Sequence, residues 1–222
     1  MFASGLKEVV RHRKLILPQL GAPGVAAHLV KKQTGFLVEY GPVRAEDLPG
    51  YLRTHSATPE MRRVEFPLCD RLVLIPVDVV RMLPWMLLTG LVGYLLGGWL
   101  SALAAVTVFL AGLVLFPILL PWIPTHDFSS KGFLLGLLAA LPFALIALLG
   151  NPGMAWWRQV LSVLQYVLIM PAGVAYITLN FTGATTFTSR SGVRREIATY
   201  IPVMAWMAGI GIAAALSGLL LY

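Results

Sequence analysis

Residues 82–122 read MLPWMLLTGLVGYLLGGWLSALAAVTVFLAGLVLFPILLPW, with no charged side chain anywhere in the run. An unbroken helix over this stretch would measure roughly 60 Å, about twice the hydrocarbon thickness of a bilayer. The chain is therefore expected to fold back within the run, and Gly97-Gly98-Trp99-Leu100-Ser101 supplies the turn. Two spans follow, near 82–98 and 101–121. Three further apolar segments lie downstream, at 132–150, 159–179 and 200–221. The sequence thus predicts an all-α polytopic membrane bundle of about five transmembrane helices over 82–222.

Composition agrees with this reading. Of 222 residues, 58% are hydrophobic and 12% charged, with mean hydropathy +0.78. Soluble domains carry about twice that charge fraction. The charges also divide unevenly: residues 1–71 hold eleven Lys/Arg and seven Asp/Glu, whereas the rest hold six and three. A polar head (1–71), an interfacial linker (72–81) and a lipid-embedded bundle account for that division. The linker is ambiguous by pattern; Asp78 and Arg81 stand at i,i+3 and could pair on an interfacial helix leading into the first span. The net charge of +7 does not point to nucleic acid, because the basic residues of the tail lie between apolar runs, where orientation signals belong.

Those signals set an orientation. With the head in the cytoplasm, the connections 121–131 and 180–199 share its side and carry Lys131, Arg190, Arg194 and Arg195, against Arg158 opposite. This predicts a multi-pass protein of the cell (inner) membrane with the N-terminus inside and the C-terminus outside. Trp85, Trp99, Trp122, Trp156 and Trp157 fall near expected helix ends, where indoles settle at the interface. No ionisable side chain is expected deep in a span, which argues against an ion-coupled transporter.

The head reads as β-loop-α-β-loop-α. After a short amphipathic segment around Leu6–Val10 come a strand at Leu15–Leu17, a helix over Val25–Lys32, a strand at Phe36–Tyr40 and a short helix over Arg44–Leu52. This is the grammar of an open α/β sheet. Seventy residues make at most half of such a domain, so the fold class is a partial, incomplete Rossmann-like α/β segment followed by the helical bundle. In the loop between the first strand and helix, Gly21, Pro23 and Gly24 are candidates for close backbone approach to a cofactor; the alternative is a simple turn in which Pro23 opens the helix. The connection Asn180–Glu196 alternates hydroxyls with Phe181 and Phe187 and carries three arginines. Thr182, Gly183, Thr185, Thr186, Ser189 and Ser191 are candidates there for a phosphate or amide-rich ligand, the alternative being a polar connector. The four histidines show no metal-ligand spacing, no nucleophile–base set is visible, and the lone Cys69 cannot form an intramolecular disulfide. No catalytic or metal residue is assigned.

Three stretches, taken in order, resemble one family: KLILPQLGAPGVAAHLVKKQTGF (14–36) followed by GPVRAEDLPGYL (41–52), then ATPEMRRVEFPLCDRLVLIPVD (57–78), and finally NFTGATTFTSRSGVRRE (180–196). They look like the membrane-anchored corrinoid protein of microbial mercury methylation, related to the corrinoid iron–sulfur protein of the acetyl-CoA pathway. The resemblance implies a cytoplasmic corrinoid-binding α/β domain on a transmembrane domain. It also implies a cobalamin-type cofactor carrying a methyl group to Hg(II) and a ferredoxin-like iron–sulfur partner returning electrons. The family's cap-helix motif, Asn-x-Trp-Cys-Ala-x-Gly-Lys, has no counterpart in this sequence, and Cys69 stands in a different motif. The resemblance therefore implies the C-terminal part of such a protein, a methyltransferase-type chain inactive alone. The alternative expectation is a cofactor-less membrane scaffold that docks a soluble redox or methyltransferase partner.

Overall fold

The computed structural model describes residues 6–64, 67–150, 153–183 and 190–220. The chain divides into two compact units, residues 1–65 and 66–222.

The head unit contains α1 (Leu6–Val9), β1 (Lys14–Leu17), α2 (Ala27–Thr34), β2 (Leu37–Tyr40) and α3 (Leu48–Thr54). β1 and β2 pair in parallel, with Lys14 opposite Leu37 and Leu17 opposite Tyr40. A parallel pair needs a crossover, and α2 provides it. It ends at Gly35, whose left-handed backbone (φ 76°) suits a residue without Cβ, and the Gly35 amide donates to Lys31 O. Phe36 and Tyr51 form the small core, at 1% and 2% exposure. The described residues hold two strands, fewer than the wide sheet of a Rossmann-type domain.

Four helical stretches of the second unit are long and apolar enough to cross a membrane: Leu68–Leu119, Phe128–Leu149, Trp156–Leu179 and Gly192–Gly218. The protein is accordingly a helical bundle of multi-pass membrane type. The first stretch comprises α4 (Leu68–Leu110), a π-helical turn (Ala111–Leu115) and α5 (Phe116–Leu119). It does not run straight. Gly97 (φ −139°) and Gly98 (φ 68°, ψ −164°) leave helical geometry, and the latter conformation is essentially open only to glycine. Beyond this break the chain doubles back. A Cβ on Gly93 would meet Ser101 O at 2.9 Å, one on Gly90 would meet Val106 at 3.7 Å, and Arg71 Nη1 donates to Pro117 O at 2.9 Å. The π-turn has a local cause, since Pro117 has no N–H for the carbonyl one turn back and its ring crowds that carbonyl.

α6 (Phe128–Leu149), α7 (Trp156–Leu179) and α8 (Arg190–Leu220) complete the bundle. Lipid offers no hydrophobic drive for one helix to seek another, so contact depends on close fit and on polar links. Gly132 and Gly136 supply the fit: a Cβ on either would come within 2.6 Å of Ala175 Cα or 2.5 Å of Pro171 Cα on α7. Phe116, Phe128, Met170 and Val174 fill the centre and are at most 2% exposed. Large apolar side chains on the outside, such as Leu95, Trp99, Leu149 and Trp206, are more than half exposed, as a lipid-facing surface requires.

Helix starts fall earlier than the apolar pattern suggests. Residues 72–81, read as an interfacial linker that could be a helix leading into the first span, are helical within α4; α6 begins at Phe128 and α8 at Arg190. The Asp78–Arg81 ion pair that the spacing allows is absent: neither side chain has an ion-pair partner among the described residues. Trp85, expected near a helix end, lies well inside α4.

Replacing Gly132 with Val should lower the stability of the detergent-solubilised bundle by about 1–3 kcal/mol, the usual effect of overpacking. Gly209→Ala, where a Cβ meets nothing within 4 Å, should leave it unchanged. Thermal unfolding of the two variants side by side checks the difference.

Candidate functional site

Parallel α/β units bind ligands beyond the carboxyl ends of their strands. In the head, a cleft of about 490 Å³ opens beside that end of β2, lined by Gln19, Glu39, Tyr51, His55, Ser56 and Arg62, with Tyr40 and Ala57 completing it. Tyr51, buried on α3, donates its hydroxyl to Glu39 Oε1 at 2.7 Å, while Glu39 Oε2 lies 3.7 Å from Lys14 Nζ. His55 follows α3 in a left-handed conformation (φ 49°) and sets its ring edge-on to Tyr51, 6.5 Å between centroids. The Tyr51 hydrogen bond holds the Glu39 carboxyl below its usual range; burial opposes it, and the Lys14 and His55 charges add to the lowering. Burial first, and then the Glu39 carboxylate, raises the Tyr51 phenol above its ordinary value. With Glu39 and Tyr51 engaged to each other, Arg62, Ser56, His55 and Gln19 remain as polar groups facing the opening. This is a donor-rich cleft, suited to carbonyl, amide or phosphate oxygens.

The loop that precedes α2 borders this end of the unit. Gln19–Gly21 form a 3₁₀ turn, and Pro23 and Gly24 continue it. Tyr40, at the end of β2, ties the loop down by donating its hydroxyl to Val25 O. The loop's amides are used internally: Gly21 N donates to Pro18 O, Ala22 N to Gln19 O, and Gly24 N and Val25 N both to Gly21 O. Gly21 and Gly24 therefore form no cradle of free N–H groups. Neither has a positive φ, and a Cβ on Gly21 would meet nothing within 4 Å. The chain itself does not demand glycine at 21, and the space above it is open.

Of the second group of candidates, Thr182 and Gly183 belong to a 3₁₀ turn at the end of α7 (Asn180–Gly183) and Ser191 to the first turn of α8. Thr185, Thr186 and Ser189 lie outside the described residues. The first group belongs to the head unit and the second to the membrane unit.

The structure adds a polar cluster that the apolar pattern concealed. At the end of the bundle where α6 starts, Glu196 of α8 is 5% exposed, and its carboxylate accepts from the amides of Phe128 and Ser129 and from the Ser129 hydroxyl, at 3.3–3.4 Å. A helix N-terminus leaves such amides without partners, and a carboxylate there also complements the helix dipole. Tyr200, one turn later, donates to Asp127 Oδ2 at 3.0 Å, and Thr178 donates to the carbonyls of Ala175 and Phe128. Arg71 and Lys131 serve the opposite need. They donate to the carbonyls of Pro117 and Ile118 and of Leu120 and Ile123, at and just beyond the C-terminus of α5. The cluster joins four helical segments. The i,i+4 pair Glu196/Tyr200 at the head of an apolar helix was the available sequence signal for it.

Among the described residues no group of three or more His, Cys, Asp or Glu side chains is placed to hold a metal ion. Cys69 is exposed in the first turn of α4. No protein-family model matches the chain, and neither a curated protein nor a solved structure similar to it is found.

Two outcomes follow. The Tyr51–Glu39 hydrogen bond stabilises the head above the ordinary glutamate range and is lost as pH falls through the lowered Glu39 value. On the other side it persists below the ordinary tyrosine value and is lost as pH rises through the raised Tyr51 value. Hydrogen-exchange protection of residues 37–40 in the whole protein should hold level between about pH 5 and 9 and decline on both sides. Tyr51→Phe should remove the tyrosine-dependent part of the alkaline decline. In the bundle, Glu196→Ala leaves two buried amides without an acceptor and should lower stability by roughly 1–3 kcal/mol, measured by unfolding in detergent.

Proposed function

We propose that the chain is the membrane-anchored portion of a corrinoid-dependent methyl-transfer protein, similar to those of microbial mercury methylation. The observation that carries this reading is the donor-rich cleft beside the carboxyl end of a parallel βαβ unit, in a chain whose remainder is a membrane bundle. The three resembling stretches support it. In this reading the head is part of a wider Rossmann-like sheet, and the break at Gly97–Gly98 divides the first long helix into two crossings, making five. The N-terminus lies in the cytoplasm, by the distribution of Lys131, Arg194 and Arg195 against Arg158.

The fit to a corrinoid is partial. Clefts of a few hundred Å³ enclose drug-sized ligands, and a corrinoid is larger, so about 490 Å³ receives only one margin of it. Arg62, Ser56 and Gln19 would hold that margin through its amide or phosphate oxygens, and the open face at Gly21 would let the ring approach the backbone. When bound, the cofactor supplies the methyl-carrying cobalt, with Hg(II) as acceptor substrate and a ferredoxin-like protein as electron donor. The chain's own residues bind and orient. In this reading Cys69, which stands in a different sequence motif from the family's cap-helix cysteine, is not a cobalt ligand, and the chain alone does not turn over.

A second reading, a cofactor-less scaffold that docks a soluble redox or methyltransferase partner, is favoured by one observation: the amides of the Gly21–Gly24 loop already have acceptors. Purified full chain incubated with hydroxocobalamin and freed of excess by gel filtration separates the two. Retention near one corrinoid per chain, weakened roughly tenfold or more by Arg62→Gln, supports the corrinoid reading. Protein that emerges without corrinoid absorbance supports the scaffold.

A further inference from the structure

The opposite end of the head carries a different chemistry. The run Arg11-His12-Arg13-Lys14 leads into β1, and Lys31 and Lys32 stand in the last turn of α2. The crossover brings these together, because α2 runs back along the strands. Leu37 N donates to Arg13 O at 2.7 Å, Gly35 N donates to Lys31 O, and the Arg13 guanidinium lies 5.5 Å over the Phe36 ring. Arg11, His28, Lys31 and Lys32 are all exposed, and His28 shares a face of α2 with the two lysines. Arg11, Lys31 and Lys32 have no ion-pair partner among the described residues; Lys14 is paired with Glu39, and Glu8 on α1 is the nearest carboxylate in sequence. The acidic pair Glu46 and Asp47 stands beyond β2, toward the other end of the strands. Arg44, Arg53, Arg62 and Arg63 follow β2 as well, so cations are not confined to one end; the amino end is distinguished by the close grouping of Arg11, Arg13, Lys31 and Lys32.

We propose that this amino end is a docking surface for an anionic lipid bilayer. The partner follows from charge and tethering. The same chain is anchored in a membrane, so encounter with headgroups is intramolecular and needs no high affinity. Basic clusters next to membrane segments are drawn to acidic headgroups, an attraction that fades within a Debye length and is screened by salt. Three unpaired, exposed cations beside a stacked arginine are what such a surface requires. Docking by this end leaves the cleft beside Glu39, at the other end of the strands, facing away from the lipid. The inference rests on the reading that the head lies on the cytoplasmic side, where anionic lipid is concentrated. Its test does not, because discs with identical leaflets present the same lipid on either side.

The whole protein, carrying His28→Cys in a Cys69→Ser background and labelled there with a fluorophore, is reconstituted in nanodiscs containing doxyl-labelled lipid. One set is zwitterionic and the other contains roughly one-third phosphatidylglycerol. Quenching is expected in the anionic discs, absent from the zwitterionic ones and relieved by high salt. Arg11→Gln, Lys31→Gln and Lys32→Gln together should lower the docked-to-free ratio by about a hundredfold. These are exposed positions, so an unchanged melting profile confirms that the fold persists. Equal quenching in both discs, or none in either, overturns the proposal. Relief by inorganic phosphate at constant ionic strength would also overturn it, in favour of a discrete anion site. So would displacement by an oligonucleotide without any lipid dependence.

Discussion

The bundle depends on the close approach of α6 to α7. In lipid, apolar surface gains little by turning inward, so a helix pair holds only where backbones come near enough for dispersion and polar links to act. Gly132 and Gly136 make that approach possible by leaving no Cβ between the helices. Thr178 then donates to the Phe128 carbonyl at the start of α6, and Glu196 accepts from the amides on the same turn. The second of these links reaches across from α8, a helix otherwise exposed on much of its surface. Packing and polar satisfaction thus meet at one turn of one helix.

The membrane part was legible where its signal was compositional. The uncharged run 82–122 announced a membrane segment, and its Gly-Gly pair marked the place where the backbone leaves helical geometry. Helix boundaries were less legible, because a polar residue in an apolar chain reads as the end of a span. Ser129, Lys131 and Glu196 are instead inside helices: their polar atoms are satisfied by one another or by carbonyls of neighbouring turns, so the helix need not stop. Partners far apart in the chain, such as Glu196 and Phe128, leave no periodic trace.

In the head the pattern of strand, loop, helix and strand was readable from turn residues and short apolar runs, and the elements fall within a few residues of those signals. The cleft was not. Its lining comes from the turn after β1, from the end of β2, from α3 and from the segment after it, and no spacing in the sequence relates Glu39 to Tyr51 or Arg62. Gly21 and Gly24 drew notice as a motif. Their geometry shows a turn whose amides are internally bonded, with open space above Gly21 as the one feature a turn does not explain.

The backbone at Gly98 carries a consequence for everything after it. A membrane chain is threaded, so each reversal exchanges the sides on which all later connections emerge. Under the five-crossing reading, the conformation of this one residue sets the parity of the remaining polypeptide. In that reading a chain unable to turn there would deliver Lys131, Arg194 and Arg195 to the side opposite the head, against the general bias of basic residues. The Glu196 link would still join α6 to α8, since both of its ends would invert together. Such a molecule would keep the α6–α8 link, lose the Arg71–Pro117 link across the break, and face the wrong way, an error of biogenesis as well as of packing.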